Sequence, residues 1–128
     1  MMTKSLNNTS PAGGISIHAV DVAHGIPAAG LAVHLRRIEP DPADIAVGVC
    51  SDTGLLNDPV SEGQGVKRGL YEVRFGVGDY YRQGGLDIPN PSFVEDAVFR
   101  FGIDRVTEHF HLPFKFTPWG FSLFRGGA

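Results

Sequence analysis

The chain has 128 residues and a mass of 13.8 kDa, which fits one domain. With 42% hydrophobic and 20% charged residues it can bury a core, and a net charge of −3 excludes a strongly basic nucleic-acid binder. A single cysteine, Cys50, excludes an internal disulfide and a cysteine-based zinc site. There is no apolar run of membrane-spanning length and no signal-peptide pattern at the start, so we expect a soluble, cytoplasmic protein.

Short strands joined by turns are favoured by the seventeen glycines and nine prolines. Residues 1–13 are polar and predict a mobile tail, and residues 14–128 are taken as the folded domain. A short helix is predicted within residues 76–85, and residues 57–69 are predicted to form a loop. Alternating apolar residues predict seven or eight strands and hence an all-β sandwich, with strands over residues 15–21, 31–36, 45–51, 70–75, 92–103, 108–116 and 119–124.

The segment from Glu108 to Phe116 is the most informative predicted strand. Its even positions are large and apolar, so they face the core, and the odd positions share the opposite face. A proline cannot donate to a strand ladder, so this strand is expected near an edge or bonded on one side there. The odd positions form an unusual solvent face, which indicates a site: His109, His111, Pro113 and Lys115.

Histidines on two separate strands offer acid–base chemistry. His18 lies on the non-core face of its strand, as His111 does, and together they could act as a general base and its partner for a water molecule. The plainer alternative is that each is a surface or hydrogen-bonded structural residue. A zinc site from His109, His111 and His18 is a weak third interpretation, because no recognised ligand spacing is present, and no metal or cofactor is predicted.

Other signatures of catalysis are missing from the sequence. There is no phosphate-binding loop, no dinucleotide fingerprint and no serine nucleophile elbow. Cys50 is interpreted as a small buried residue, and Tyr80 and Tyr81 as packing residues of the short helix. The pair Arg36–Arg37 is interpreted as solvated surface.

Three segments, in order, carry a recognisable pattern. The first is ISIHAVDVAHGIPAAGLAVHL, with a first-strand histidine followed by a Gly-x-Pro-Ala turn. The second is GLYEVRFGVGDYYRQGG, a strand and a short helix, and the third is EHFHLPFKFTPWGFSLFRGGA at the end. Together they resemble the transthyretin family, in particular its branch of 5-hydroxyisourate hydrolases, over nearly everything from residue 14 onward.

This resemblance implies a transthyretin-like sandwich that assembles as a homotetramer, with active sites where dimers meet across a channel. It also implies a working set made of a first-strand histidine, an arginine after the Asp-Gly turn and the second histidine of a His-x-His pair. These fall on His18, Leu55 and His111, so the arginine is replaced by leucine. The terminal Tyr-Arg-Gly-Ser falls on residues 124–127, where Arg125 and Gly126 are kept and Phe124 and Gly127 replace the tyrosine and the serine.

The expected function is hydrolysis of a cyclic amide, 5-hydroxyisourate or a close heterocyclic analogue, in purine and urate catabolism. His18 and His111 would be catalytic, with Arg125, Lys115, Leu55, Phe124 and Gly126 at the substrate. We also expect Lys115, which stands where the family has an apolar residue, to replace the charge lost at Leu55. Two alternatives stay open: a non-enzymatic carrier of small molecules that uses the channel, and an inactive pathway partner.

Overall fold

The computed structural model describes residues 11–127. These residues form eight strands, one α-helix and a short 3₁₀ helix at Pro59–Glu62. None of the described helices is long and apolar enough to cross a membrane. The elements in chain order are β1 (Ile15–Asp21), β2 (Ile26–Pro27), β3 (Ala32–Glu39), β4 (Ala43–Val49), β5 (Gly69–Phe75), α1 (Val77–Gln83), β6 (Ala97–Ile103), β7 (Phe110–Thr117) and β8 (Gly120–Leu123).

Two four-stranded sheets form the predicted all-β sandwich. One sheet has the order β2-β1-β7-β8 and the other β4-β3-β5-β6. The strands β1 and β7 run parallel, although the rest of the pairs are antiparallel. A parallel pair needs a long connection, and here the whole second sheet lies between β1 and β7 in the chain. The first and last parts of the sequence therefore meet in one sheet.

The core follows the alternation that the sequence predicts. The inward residues of β5 are Tyr71, Val73 and Phe75, and all are fully buried. Phe75 stacks on Phe114 of β7, with ring centroids 3.8 Å apart, so an aromatic pair joins the two sheets. Tyr71 keeps its hydroxyl satisfied at the end of the core by donating to the backbone oxygen of Lys67 at 2.6 Å. The predicted faces of these strands are confirmed.

Several predicted boundaries are wrong. Residues 92–96 are irregular, because the Ser92 amide donates to Glu95 and the Glu95 carbonyl accepts from Gly78, so their polar groups serve the start of α1 and not a ladder. Residues 59–62 form a 3₁₀ helix within the predicted loop. Of the predicted tail, residues 1–10 lie outside the described residues. Ala12 packs against the core, and the Gly13 amide donates to the Val106 backbone oxygen, so both residues are part of the packed structure.

Arg37 is buried, which corrects its interpretation as solvated surface. It is 5% exposed, because the inward positions of β3 continue past Leu35 to Arg37. The guanidinium donates from Nε to the backbone oxygen of Asp41 and from an Nη to that of Gly65, at 2.8 and 2.9 Å. A buried charge is tolerated when its donors are satisfied, and two loop carbonyls do this here.

Asp21 is a second buried charged residue, at the inward end of β1. Its carboxylate is 1% exposed and accepts the Tyr81 hydroxyl at 2.6 Å and the Tyr80 hydroxyl at 3.0 Å. The His24 ring donates to it from Nδ1 at 2.7 Å and the His24 amide at 3.2 Å. The two tyrosines therefore do more than pack: their hydroxyls tie α1 to the first sheet through one carboxylate.

The pKa of Asp21 lies below its ordinary value of 3.8. Burial pushes the pKa up, but the hydrogen bonds from Tyr81, His24 and Tyr80 stabilise the charged form and outweigh burial. Because the folded-state pKa is depressed, this carboxylate contributes stability above its unfolded value. The contribution is lost as the pH falls through the folded-state value.

We expect Asp21→Asn to lower the free energy of unfolding at pH 7 by about 1.5–3 kcal/mol, since the variant removes a charged acceptor from these hydrogen bonds. Urea unfolding followed by circular dichroism measures it, with Asp79→Asn on the exposed side of α1 as the matched control. The difference from wild type should shrink below pH 3.8. A difference that is the same at pH 7 and in acid would contradict this account.

Candidate active site

The outer surface of β1 and β7 carries the predicted functional side chains. The parallel register places Ser16 opposite His111 and His18 opposite Pro113, and the buried positions between them face the core. His18 and His111 therefore lie two residues apart in the register of adjacent strands, and each is on the outer face of its strand, as the sequence predicts. We call this surface the histidine face; it comprises Ser16, His18, His111, Pro113 and Lys115.

His18 is held by the turn that follows β4. Its Nε2 lies 3.0 Å from the backbone oxygen of Thr53. A carbonyl only accepts, so Nε2 carries the proton in the neutral ring and Nδ1 is left as the acceptor. Gly54 has φ +81° and its oxygen accepts from the Ala19 amide at 2.8 Å, so this turn needs glycine to lie against β1.

His111 is held by Ser16 from the neighbouring strand. The Ser16 Oγ lies 2.7 Å from Nδ1, which leaves Nε2 as the ring nitrogen available for chemistry. Partial burial lowers the pKa of His111 below its ordinary value, and the charges of His109 and His18 lower it further. A lowered pKa keeps the ring neutral, and therefore basic, around neutral pH.

The C-terminal segment folds back against His111. The Gly126 amide donates to the His111 backbone oxygen at 2.8 Å. A Cβ added at Gly126 would lie 3.0 Å from Cδ2 of the His111 ring and 3.2 Å from Cδ of Pro113, so only glycine fits without displacing them. Pro113 follows the sequence expectation of one-sided bonding, because the ladder between β7 and β8 ends at Phe114.

Arg125 and Phe124 occupy different surroundings from the two histidines. The Arg125 guanidinium lies 4.1 Å over the Phe110 ring and donates to the Glu108 carboxylate and to the His109 backbone oxygen. Phe110 is on the core side of β7, so these contacts direct the charge to the end of the sheet. The Phe124 ring is 55% exposed on the same segment.

Leu55 lies beside His18, and Lys115 lies at the end of the histidine face away from Ser16. Leu55 forms an isolated bridge with His18, and its side chain is exposed. Lys115 is exposed two residues beyond Pro113, opposite Val20 of β1. The leucine that stands at the family's arginine position is therefore adjacent to His18, whereas the lysine is further along the sheet.

Sequence reasoning missed Ser16 and left the role of His109 open. Ser16 bridges both histidines of the His-x-His pair: its Oγ also lies 2.8 Å from Nε2 of His109. His109 in turn donates from Nδ1 to the Gly13 backbone oxygen at 2.6 Å. The available signal was the position of Ser16, two residues before His18 and hence on the same face of β1.

Thiol and metal chemistry were also compared with the structure. Burial raises the pKa of the Cys50 thiol to about 11, so it carries almost no thiolate at neutral pH. Within residues 11–127, no three histidine, cysteine or carboxylate side chains are grouped to hold a metal ion. His109 and His111 instead each have one ring nitrogen within hydrogen-bond distance of the Ser16 Oγ.

Comparison with known proteins gives one family. The model of the HIUase/Transthyretin family matches residues 15–126. A 5-hydroxyisourate hydrolase of Pseudomonas aeruginosa is 36% identical over 91% of this chain and 93% of its own length. The protein named 5-hydroxyisourate hydrolase 2 of Rhizobium meliloti is 38% identical over 91% of this chain and 98% of its own length.

Solved structures show the same sandwich. The crystal structure of (S)-allantoin synthase is 30% identical with a TM-score of 0.84; the match covers 92% of this chain but 45% of that one. The structure of Klebsiella pneumoniae 5-hydroxyisourate hydrolase is 28% identical with a TM-score of 0.74, over 90% of this chain and 99% of that one. Sea bream transthyretin, solved with thyroxine, is 20% identical with a TM-score of 0.76 over 90% of this chain and 96% of that one, a likeness of fold alone.

Proposed function

The chain belongs to the HIUase/transthyretin family, and from this premise we propose that it hydrolyses 5-hydroxyisourate or a close heterocyclic analogue. Residues 14–128 form the catalytic domain in this proposal, and the reaction belongs to purine and urate catabolism. One observation carries it: His18 and His111 share an outer face, and each has one ring nitrogen engaged and the other available. A cytoplasmic location is part of the proposal, supported by a single buried, unpaired cysteine.

The reaction requires one proton to be moved twice. One imidazole, His111 at Nε2 in this proposal, takes a proton from water, and the water oxygen bonds to a ring carbonyl carbon of the substrate. The ring C–N bond then breaks, and its nitrogen leaves with the proton returned from the His111 imidazolium, which opens the ring to an acid and an amine. His18, with Nδ1 as acceptor, is suited to accept a hydrogen bond from the attacking water and to orient its oxygen.

Freshly generated 5-hydroxyisourate should decay faster with micromolar wild-type protein than in buffer, followed by ultraviolet absorbance. We expect His111→Asn to lower the rate by at least about 100-fold, since it removes the proposed base. Because this side chain points away from the core, circular dichroism should show an unchanged fold. His34→Asn, a partly exposed histidine of the other sheet, is the matched control. Wild-type decay no faster than in buffer would contradict the proposed substrate.

An open sheet surface cannot by itself hold a small ring and exclude water from it. We infer that further copies of the chain cover the histidine face, in a homotetramer. Exposed aromatic side chains within the last strand and directly before and after it support an assembly, because monomers rarely leave such residues grouped at an edge. These side chains are Trp119, Phe121 and Phe124.

Light scattering at micromolar concentration should therefore give a mass four times 13.8 kDa. Phe121→Glu, at the exposed edge of β8, is expected to shift the mass toward smaller species. Val98→Glu places the same charge on β6, an edge strand of the other sheet, and its mass shows which sheet edge takes part in the assembly. A wild-type mass of one chain would contradict the assembly and the covered site together.

Charge is the property in which the histidine face departs from its family pattern. Leu55 cannot supply the guanidinium expected next to His18, and Arg125 is directed to Glu108. In the proposal, Lys115 supplies positive charge to an anionic ring from the end of the histidine face away from Ser16. An ammonium is a hydrated point charge and orients a planar anion less tightly than a guanidinium does. The substrate range should accordingly differ from that of the relatives.

We expect Lys115→Leu to raise KM for 5-hydroxyisourate several-fold, and Lys115→Leu with Leu55→Arg to restore or exceed the wild-type kcat/KM. Lys67→Leu, which removes the same charge away from the histidine face, is the control. Steady-state kinetics at low ionic strength measure the effect, because salt screens exposed charges. If Lys115→Leu matches wild type, the exchange of charge is wrong.

A further inference from the structure

A continuous chain of hydrogen bonds leads from the backbone to His111. It begins at the Gly13 carbonyl oxygen, which lies 2.6 Å from Nδ1 of His109. Nε2 of the same ring lies 2.8 Å from the Ser16 Oγ, and this oxygen lies 2.7 Å from Nδ1 of His111. Three short contacts thus connect a fixed carbonyl to the proposed base.

When the His109 ring is neutral, the chemistry of these groups fixes the direction of every bond. A carbonyl oxygen has no proton, so Nδ1 of His109 must donate and Nε2 of the neutral ring must accept. Ser16 has one hydroxyl proton, which therefore goes to His109. Its oxygen is then the acceptor for Nδ1–H of His111. The only nitrogen of neutral His111 without a proton is Nε2.

We propose that His109 and Ser16 are positioning residues that fix the tautomer of His111, so that its Nε2 is the base facing the substrate. This inference rests on the proposed function, in which Nε2 removes a proton from water. The role is the one that an aspartate has beside the histidine of a serine protease, where the partner at Nδ1 sets the tautomer. Here a carbonyl, an imidazole and a hydroxyl do it without a negative charge.

The fold holds the first carbonyl and the Ser16 hydroxyl of this chain of bonds in place. The Gly13 amide donates to the Val106 oxygen at 2.9 Å, and the Gly14 oxygen accepts from the Phe110 amide at 2.9 Å, so the first carbonyl cannot turn away easily. Ser16 lies between the buried residues Ile15 and Ile17, directly opposite His111 in the β1–β7 register. A serine is small enough to contact two rings from this position.

The pKa of His111 agrees with this arrangement. Partial burial lowers it first, and the positive charge that His109 or His18 carries when protonated lowers it further. A carboxylate at Nδ1 would have the opposite effect, since a nearby negative charge favours the imidazolium. A neutral partner leaves the base unprotonated at neutral pH and still fixes which nitrogen carries the lone pair.

The test uses the full chain labelled with ¹⁵N in its histidines, and long-range ¹H–¹⁵N spectra at neutral pH that distinguish protonated from bare ring nitrogens. In the wild type, Nδ1 of His111 should be protonated and Nε2 bare. Ser16→Ala removes the acceptor for Nδ1–H, and His109→Phe lets the Ser16 hydroxyl donate to Nδ1 instead. Both variants should shift His111 toward the tautomer protonated at Nε2.

Activity gives an independent measurement. Ser16→Ala and His109→Phe should lower kcat about 10- to 100-fold with little change in KM, the range in which orienting partners act. Ser16→Thr keeps the hydroxyl, and its methyl group suits a strand, so it should retain the wild-type tautomer and most of the activity. Ser122→Ala, an exposed serine of β8, is the matched control and should change neither measurement.

Bare Nδ1 in wild-type His111, or an unchanged tautomer in Ser16→Ala and His109→Phe, would overturn the inference. These results are separable from the proposed function. The expected spectra without any turnover of 5-hydroxyisourate would refute the substrate and leave the tautomer assignment standing. Turnover that persists in variants whose His111 tautomer is reversed would refute the positioning role alone.

Discussion

The parallel pairing of β1 and β7 is the constraint on which the rest of this structure depends. Its register sets Ser16 against His111 and His18 against Pro113. Because side chains alternate along a strand, a slip of one residue would turn these polar groups into the core and the phenylalanines of β7 outward. The stacking of Phe114 on Phe75 of the other sheet opposes such a slip. Packing in the core thus determines the chemistry on the outer face.

Local patterns were sufficient to predict the faces of the strands, though not their partners. Alternation correctly assigned His18 and His111 to outer faces and the short helix to the region after β5. That β1 and β7 lie side by side depends on contacts between residues almost a hundred positions apart, which no window of sequence contains. Ser16 was missed for the same reason: its significance comes from His109 and His111, both far away in the chain.

Arg37 was the other error, and its cause is visible at Asp21 as well. Arg37 and Asp21 stand at inward positions at the ends of β3 and β1, where alternation alone would have buried them. For Arg37, the sequence interpretation gave more weight to the charged residue type than to the inward position in the alternation. Burial is possible because each charge is satisfied, Arg37 by loop carbonyls and Asp21 by Tyr80, Tyr81 and His24. Gly65, Tyr80 and Tyr81 are distant in the chain, and the nearby Asp41 and His24 act through a loop carbonyl and a turn, so the alternation pattern does not display these partners.

The uncharged hydrogen-bond chain from Gly13 through His109 and Ser16 to His111 and the lack of an arginine next to His18 can both be explained by the charge of the substrate. A carboxylate at Nδ1 would place a negative charge close to an anionic, urate-like ring, and repulsion in a partly buried site is stronger than in water. A guanidinium next to His18 would offset that repulsion, but Leu55 stands there and Arg125 is paired with Glu108. A carbonyl, an imidazole and a hydroxyl fix the tautomer of the base without adding charge. The departures of this chain from its family pattern therefore suit an orienting group that is itself uncharged.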